Sequence, residues 1–252
     1  MKRRDLLLAT LGLLLVWQLA AVVVNQPILP SPWQVLIVLW SEVSSGHLSG
    51  HFLASLWRVV ASTLLAILTA APAGLALGQF PRLNAFFSPL IYILYPIPKV
   101  VFVPVVLLFL GVGDFSKIFV IFLILFFQIL VLVRDQAAGL HPELIRSVRS
   151  LGAGRLALFR FVFLPASIPG ILTALRQSVG TAVAVLYIAE LFATQQGLGY
   201  YIYLNGNTLF NYPAMYAGVI AMSVLGLALY FTVDGLERLL CPWQFKNRPT
   251  SG

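Results

Sequence analysis

Residues 134–165 read RDQAAGLHPELIRSVRSLGAGRLALFRFVFLP, a basic and amphipathic segment within an otherwise apolar chain. The segment carries five arginines and two acids, has glycines at positions 152 and 154, and ends on Leu164-Pro165. A chain that only crosses a bilayer does not require so polar a loop. We therefore interpret this segment as a docking surface for a partner in the cytoplasm.

The composition of the whole chain is that of an integral membrane protein. Of its 252 residues, 60% are hydrophobic and 10% are charged, whereas soluble domains carry roughly 25% charged residues. The net charge of +8 is spread through short loops between apolar runs. This distribution is typical of membrane topology rather than of a nucleic-acid surface. Cys241 is the single cysteine, so no intrachain disulfide is predicted.

Six apolar runs approach the ~20 residues that a membrane helix needs. They cover residues 6–24, 59–78, 86–110, 118–133, 168–189 and 213–233. The short run at 32–40 predicts an interfacial helix on the outer side. A cleaved signal peptide is the alternative for the first run, but that run is long and offers no clean small-x-small cleavage site. We therefore predict one all-α transmembrane domain across residues 1–252.

The basic residues predict the orientation of the spans. With the N-terminus inside, twelve Lys and Arg residues fall in cytoplasmic segments, and two, Arg58 and Lys117, fall in outer loops. This bias follows the positive-inside rule. Six spans then place both termini in the cytoplasm, in a multi-pass protein of the plasma or bacterial inner membrane.

The basic segment contains a predicted short helix. Pro142 suits the first helical position, and Gly152 and Gly154 suit the end. Apolar residues recur between them at helical spacing, at positions 144, 145, 148 and 151. A helix of about ten residues is marginal alone in water, so it packs against the bundle or in the groove of a partner. A helix lying on anionic membrane lipid is the alternative, and the residues alone leave both open.

The same segment resembles the cytoplasmic loop of binding-protein-dependent ABC transporter permeases. The signature of that loop is Glu-Ala-Ala, three residues, Gly, nine residues, Ile-x-Leu-Pro. Gly152 aligns with the motif glycine, and Val162, Leu164 and Pro165 align with its last conserved positions. The Glu-Ala-Ala of the family falls on residues 146–148, which read Arg-Ser-Val. The chain thus has a base where the family has an acid, and Glu143 lies one turn earlier.

Other short motifs resemble the aliphatic sulfonate, taurine and nitrate branch of the family. They are Leu-Pro-Ser-Pro at 29–32, Pro-Ile-Pro-Lys at 96–99, Phe-Leu-Gly-Val-Gly at 109–113, Ile-Ala-Glu-Leu at 188–191 and Gly-Leu-Gly at 197–199. The resemblance covers residues 29 to about 235 in the expected order. It implies the fold of a type I ABC importer permease with six transmembrane helices.

The resemblance also implies the partners. A second permease copy, as a homodimer, would form the pathway, two ABC ATPase subunits would bind the cytoplasmic loops, and an extracytoplasmic substrate-binding protein would deliver the solute. The chain has no G-x-x-x-x-G-K-[ST] phosphate loop, so ATP and Mg are expected on the ATPase, with no cofactor on this chain. The expected coupling helix is 142–152. Its contact residues would be Glu143, Arg146, Ser147, Arg149, Ser150, Leu151, Gly152 and Ala153.

Three ionisable residues within or at the end of the spans are candidates for lining the pathway. Lys99 lies among prolines, and an ionisable residue at that depth is a functional candidate, although carbonyls freed by the prolines are the alternative partners. Arg176 faces the pathway or extends toward the cytoplasmic side. Glu190 faces the pathway or anchors the outer interface. If Lys99 and Arg176 both face the pathway, the solute is an anion.

Other classes of function are less consistent with the sequence. An ion-coupled secondary transporter, the main alternative, predicts paired acids at mid-membrane and an internal repeat, neither of which is evident. His47 and His51 have the spacing of a metal pair, but no cysteine or acid cluster accompanies them, so no metal site and no catalytic site are predicted. The loop at 191–212 is rich in Tyr and Asn, which suits the membrane interface or a dock for the substrate-binding protein.

Overall fold

A computed structural model of the chain describes residues 3–140, 142–192 and 194–245. The α-helices are α1 (Arg3–Val24), α2 (Pro32–Ser44), α3 (His47–Gln79), α4 (Pro81–Leu94), α5 (Val103–Leu110), α6 (Asp114–Ala138), α7 (Pro142–Ser150), α8 (Arg155–Leu158), α9 (Leu164–Leu191), α10 (Leu198–Tyr203), α11 (Tyr212–Leu240) and α12 (Pro242–Phe245). A 3-10 turn covers Lys99–Phe102, and π turns cover Phe159–Phe163 and Leu204–Thr208. The all-α prediction is confirmed.

Five of the described helical segments are long and apolar enough to cross a membrane. They are Leu7–Val24, His47–Gln79, Asp114–Ala138, Phe159–Leu191 and Tyr212–Leu240. The sixth candidate is a bent pair, Pro81–Leu94 with Lys99–Leu110, whose two parts meet at 74°. Each run predicted from the sequence overlaps one of these segments. The helix predicted at 32–40 is part of α2. α2 begins at a capping box formed by Ser31 and Gln34.

The break in the third span has a local chemical cause. Pro96 and Pro98 lack the N–H that would continue the helical hydrogen bonds, and the chain leaves α4 at Tyr95 and resumes helical structure at Lys99. The carbonyls before the break therefore have no donors from the next helical turn. These carbonyls are the groups that a nearby ammonium can bind.

The prediction that Arg58 and Lys117 lie in outer loops is wrong. α3 begins at His47 and contains Arg58, and α6 begins at Asp114 and contains Lys117. Both side chains are buried, with 3% and 2% exposure. Arg58 binds Asp114 Oδ1 through Nη2 at 2.7 Å and Nε at 2.8 Å. An opposite charge lets the helix continue past the point where the hydropathy pattern placed its end.

The chain divides into two compact units, residues 1–56 with 190–225 and residues 57–189 with 226–252. In the first unit, Trp17 Nε1 donates to Pro30 O at 3.1 Å, and the Trp17 ring lies 5.8 Å from that of Tyr216. The large apolar side chains of α1 are exposed; Leu13, for example, is 72% exposed. Such a surface is suited to membrane lipid.

In the second unit, α3 and α6 pack closely through glycines. A Cβ placed on Gly74 would lie 2.8 Å from Leu130 O, and one on Gly78 would lie 2.6 Å from Ala137 Cβ. Gln79 Nε2 also donates to Ala137 O at 2.8 Å. Small residues four apart allow this backbone approach between membrane helices.

Candidate functional site

The predicted helix in the basic segment is confirmed as α7. It begins at Pro142 and ends at Ser150. Gly152 has φ +80°, and its N–H donates to Arg149 O at 3.0 Å. Glycine adopts this left-handed conformation at little cost, so it ends the helix and turns the chain. His141 and the side chains of Pro142, Leu144 and Ile145 lie outside the described residues.

The predicted contact residues of α7 form an exposed polar surface with one apolar tip. The exposed members are Glu143, Arg146, Ser147, Arg149, Ser150, Leu151 and Gly152, and Ala153 is half-buried. Leu151 is 85% exposed. A single exposed leucine is ordinary, but this one lies two and five residues after the exposed arginines Arg149 and Arg146. We call residues 143–153 the coupling surface.

A π turn at Phe159–Phe163 connects the basic segment to α9, which begins at Leu164-Pro165. Val162 is buried and Leu164 is 37% exposed. π turns are rare overall, but those that occur are often found at functional sites. The end of the segment that resembles the loop motif therefore joins the coupling surface to α9 through a non-standard turn.

Lys99 lies at the break in the third span. Its Nζ donates to Leu94 O at 2.9 Å, Tyr95 O at 3.1 Å and Ile97 O at 3.4 Å. It also lies 4.4 Å from the centre of the Phe127 ring, a cation–π distance. The carbonyl partners considered for Lys99 on the basis of the prolines are present.

A cleft of about 320 Å³ opens beside Lys99 in the second unit, and Tyr95, Ile97, Gln128 and Val185 contribute to its lining. Ligand pockets of roughly 300–1,000 Å³ are usual for small molecules. The lining carries one cation and one amide, and its remaining side chains are aromatic or aliphatic. The arrangement can hold a small group with negative charge.

Arg176 is paired with acids from α11. Its Nη1 lies 2.8 Å from Glu237 Oε2 and 3.4 Å from Asp234 Oδ1. Arg238 Nη2 in turn lies 2.9 Å from Asp234 Oδ2. The four residues form a chain of alternating charges that joins α9 to α11. Arg176 therefore contributes little net positive charge to its surroundings.

Glu190 is fully buried in the first unit, with 0% exposure. Its carboxylate accepts from Ser55 Oγ at 2.8 and 2.9 Å and from the N–H of Gly199 at 2.8 Å. Ser55 Oγ accepts from the N–H of Leu198 at 2.8 Å. These bonds join the end of α9, the start of α10 and α3. Glu190 thus holds the loop after α9 in place.

His51 belongs to the same region. Its Nδ1 accepts from the N–H of Gly197 at 3.1 Å, and its ring lies 5.4 Å from that of Tyr201. His47 lies 4.0 Å from Glu42 and is largely exposed. The two histidines with metal-pair spacing therefore contact different groups.

A second, larger cleft of about 620 Å³ lies in the first unit, lined by residues from 18–34 and 210–213. Two of its lining residues, Asn25 and Phe210, have φ of +45° and +53°. Left-handed conformations are uncommon outside glycine and concentrate at functional sites. The lining side chains are uncharged, and several are amides, including Gln18, Gln26 and Asn211.

The sequence did not single out Gln128, Ser55, Asp234 or Glu237. Gln128 lies in an apolar run and has no neighbour in the sequence that signals a role. Ser55 lies 135 positions from Glu190, and Asp234 lies 58 positions from Arg176. A search for polar residues within hydropathy runs would have found Gln128. The pairings needed the fold.

Comparison with known proteins finds relatives of this chain. Residues 62–245 match the family model described as binding-protein-dependent transport system inner membrane component. The chain is 31% identical to the taurine transport system permease protein of Escherichia coli, with 94% of this chain and 88% of that protein covered. It is 29% identical to the putative aliphatic sulfonates transport permease protein of Bacillus subtilis, with 88% and 80% covered.

The fold also matches a solved membrane protein. A chain from an inward-facing structure of the MetNI methionine ABC transporter superposes with a TM-score of 0.66 at 20% identity. The match covers 74% of this chain and 93% of that one. The two chains share a fold.

Proposed function

Because the chain belongs to the binding-protein-dependent transport system inner membrane component family, we propose that it imports a small sulfonate-type anion. The chain is the transmembrane permease subunit of an ATP-driven ABC importer. It is a multi-pass inner-membrane protein that works with an ATPase and a substrate-binding protein, and ATP is hydrolysed on the separate ATPase.

The coupling surface carries the proposed contact with the ATPase. Its single supporting observation is that Arg146 and Arg149 of α7 and Leu151, which follows the helix, are all exposed, Leu151 at 85%. Leu151 would enter an apolar pocket of the ATPase, and the arginines would pair with acids around it. When the ATPase subunits close on ATP, α7 would move with them, and the turn at 159–163 would pass that motion to α9.

The proposed complex contains two copies of this chain and two ATPase subunits. ATP and Mg bind to the ATPase in this proposal, and this chain binds no cofactor. An extracytoplasmic substrate-binding protein docks at the outer loops. The uncharged cleft lined by residues 18–34 and 210–213 supports that docking, because its amides suit hydrogen bonds to a polar protein surface.

The proposed solute class rests on the relatives and on one charge. The relatives are named for taurine and for aliphatic sulfonates, and both kinds of solute carry a sulfonate. Lys99 supplies a cation in a break within a membrane span. Cations within membrane segments usually face a partner or a pathway.

Purification of the tagged chain from its host in mild detergent tests the coupling surface. We expect an ATPase to co-purify in an amount equal to that of the chain. We expect the ATPase to be lost when Arg149 and Leu151 are both replaced by Glu, because the substitutions reverse the positive charge and remove the apolar contact. The measurement is the ATPase-to-permease ratio by quantitative mass spectrometry.

A matched control makes the same chemical changes elsewhere. Arg82 and Leu83 are adjacent and exposed at the start of α4, and Arg82→Glu with Leu83→Glu should leave the ratio unchanged. Equal loss of ATPase in both double variants would mean that the substitutions damage the folded protein generally and not a specific contact. Full retention in the Arg149/Leu151 variant would contradict the proposed contact.

A further inference from the structure

Lys99 is a cation without an acidic partner. Among the residues that the structure describes, its ammonium contacts the carbonyls of Leu94, Tyr95 and Ile97 and the ring of Phe127, and no carboxylate pairs with it. Carbonyls satisfy its hydrogen bonds, but they do not cancel its charge. A positive charge in a membrane span attracts an anion more strongly than the same charge in water does, because the local dielectric constant is low.

The three carbonyl contacts differ in length. The bonds to Leu94 and Tyr95 are 2.9 and 3.1 Å, whereas the bond to Ile97 is 3.4 Å and lies beyond the usual range for N–H donors. Ile97 also lines the cleft beside Lys99. An anion in the cleft can therefore take the third N–H of Lys99 while the two shorter bonds keep the ammonium in place. The exchange replaces a neutral acceptor with a charged one, which makes a stronger hydrogen bond.

Gln128 places a second donor at the same cleft. It comes from α6, and its amide makes no hydrogen bond within the described part of the chain. A polar amide in a membrane span without a protein partner is costly, and a ligand or water in the cleft would satisfy it. The site then has one charged donor and one neutral donor from two different elements.

The other basic residue considered for the pathway, Arg176, differs in this respect. Arg176 lies beside two carboxylates, at 2.8 Å from Glu237 and 3.4 Å from Asp234. Its charge is compensated, and an anion would have to displace an acid to reach it. Among the two basic candidates, the geometry therefore favours Lys99.

We propose that the cleft at the break in the third span binds the anionic group of the transported solute, with Lys99 supplying the charge and the Gln128 amide a second hydrogen bond. This inference rests on the proposed import of a small anion and names the site for it. Arg176 instead stabilises the contact between α9 and α11 and is not part of the anion site.

Saturation-transfer NMR on the purified permease–ATPase complex in lipid nanodiscs tests this site, since the method detects weak ligands. The probes are methanesulfonate and dimethyl sulfone, an uncharged molecule of similar shape. We expect transfer to methanesulfonate and little to the sulfone. Lys99→Met should weaken methanesulfonate binding by about tenfold or more, because a charge-assisted bond is lost, and Lys99→Arg should retain part of it.

Gln128→Leu is a second variant that leaves the break and the charge intact, and it should weaken methanesulfonate binding several-fold. Arg82→Met removes an exposed cation from α4 and should change nothing. Unchanged methanesulfonate binding in Lys99→Met would overturn the inference. So would the absence of methanesulfonate binding to the wild-type complex, or equal binding of the two probes.

Co-purification of the ATPase distinguishes failure of this inference from failure of the proposed function. If the ATPase co-purifies with every variant but binding does not depend on Lys99, the importer stands and this site is wrong. If no ATPase accompanies the wild-type chain, the coupling proposal fails. Methanesulfonate binding that depends on Lys99 would then still support the anion site, as a property of this chain alone.

Discussion

At the residue scale, two buried charged side chains, Glu190 and Arg58, are held by specific partners. Glu190 has 0% exposure, and donors from Ser55 and Gly199 surround its carboxylate. Arg58 is likewise buried and bound to Asp114. A buried charge is tolerated when hydrogen bonds and an opposite charge replace water, and removal of a partner costs more than the pair contributes. These residues hold the ends of helices together.

Replacing Glu190 should therefore lower stability without touching the coupling surface. Glu190→Gln puts an amide NH2 against donors from Ser55 and Gly199, and we expect a loss of about 1–3 kcal/mol, the usual cost of an unsatisfied buried group. The measurement is the thermal unfolding midpoint in detergent. Glu143→Gln, at an exposed position of α7, is the control, and an equal midpoint for both variants would contradict the buried role of Glu190.

At the element scale, helices of this protein begin and end for different reasons. α7 lies between a proline and a left-handed glycine, so local residues alone define it. α3 and α6 extend beyond their apolar runs because Arg58 and Asp114 neutralise each other. Their contact depends on Gly74 and Gly78, where a Cβ would meet the backbone of α6. Packing between these two helices is thus set by side-chain size.

Gly78→Leu should disrupt that packing. Its Cβ would lie 2.6 Å from Ala137 Cβ and 2.7 Å from Arg134 O, and backbone atoms cannot move aside as a flexible side chain does. Overpacking of this kind costs about 1–3 kcal/mol or more. We expect a lower yield of monodisperse protein by gel filtration. Gly12→Leu, in α1 with nothing within 4 Å of its Cβ, should match the wild type; a similar loss there would rule out the packing explanation.

At the scale of the whole molecule, the class of fold and the short helix α7 were predictable from sequence, and the polar contacts between distant parts of the chain were not. Hydropathy located the six runs, and proline with glycine located α7, because both signals are local. The carbonyl partners of Lys99 were foreseeable for the same reason. The partners of Arg176 and Glu190 come from distant parts of the chain, and hydropathy gives no account of them.

The orientation of the chain in the membrane is testable with single cysteines. Cys241 is buried, and burial, with a smaller effect of Glu237, raises the pKa of its thiol. Less thiolate is present at neutral pH, so maleimide should label it slowly. A cysteine at Ser147 should then react only after permeabilisation, and one at Asn207 should react in intact cells. The reverse pattern would contradict the orientation predicted from the basic residues.

The bend of 74° between Pro81–Leu94 and Lys99–Leu110 also affects how the chain fits its bilayer. A straight helix over the apolar run 86–110 would be about 37 Å long, whereas the hydrocarbon layer is about 30 Å thick. Without the break, the helix would have to tilt strongly or thicken the lipid around it. The prolines and Lys99 thus relieve a hydrophobic mismatch, and membrane thickness becomes a determinant of the geometry of this span.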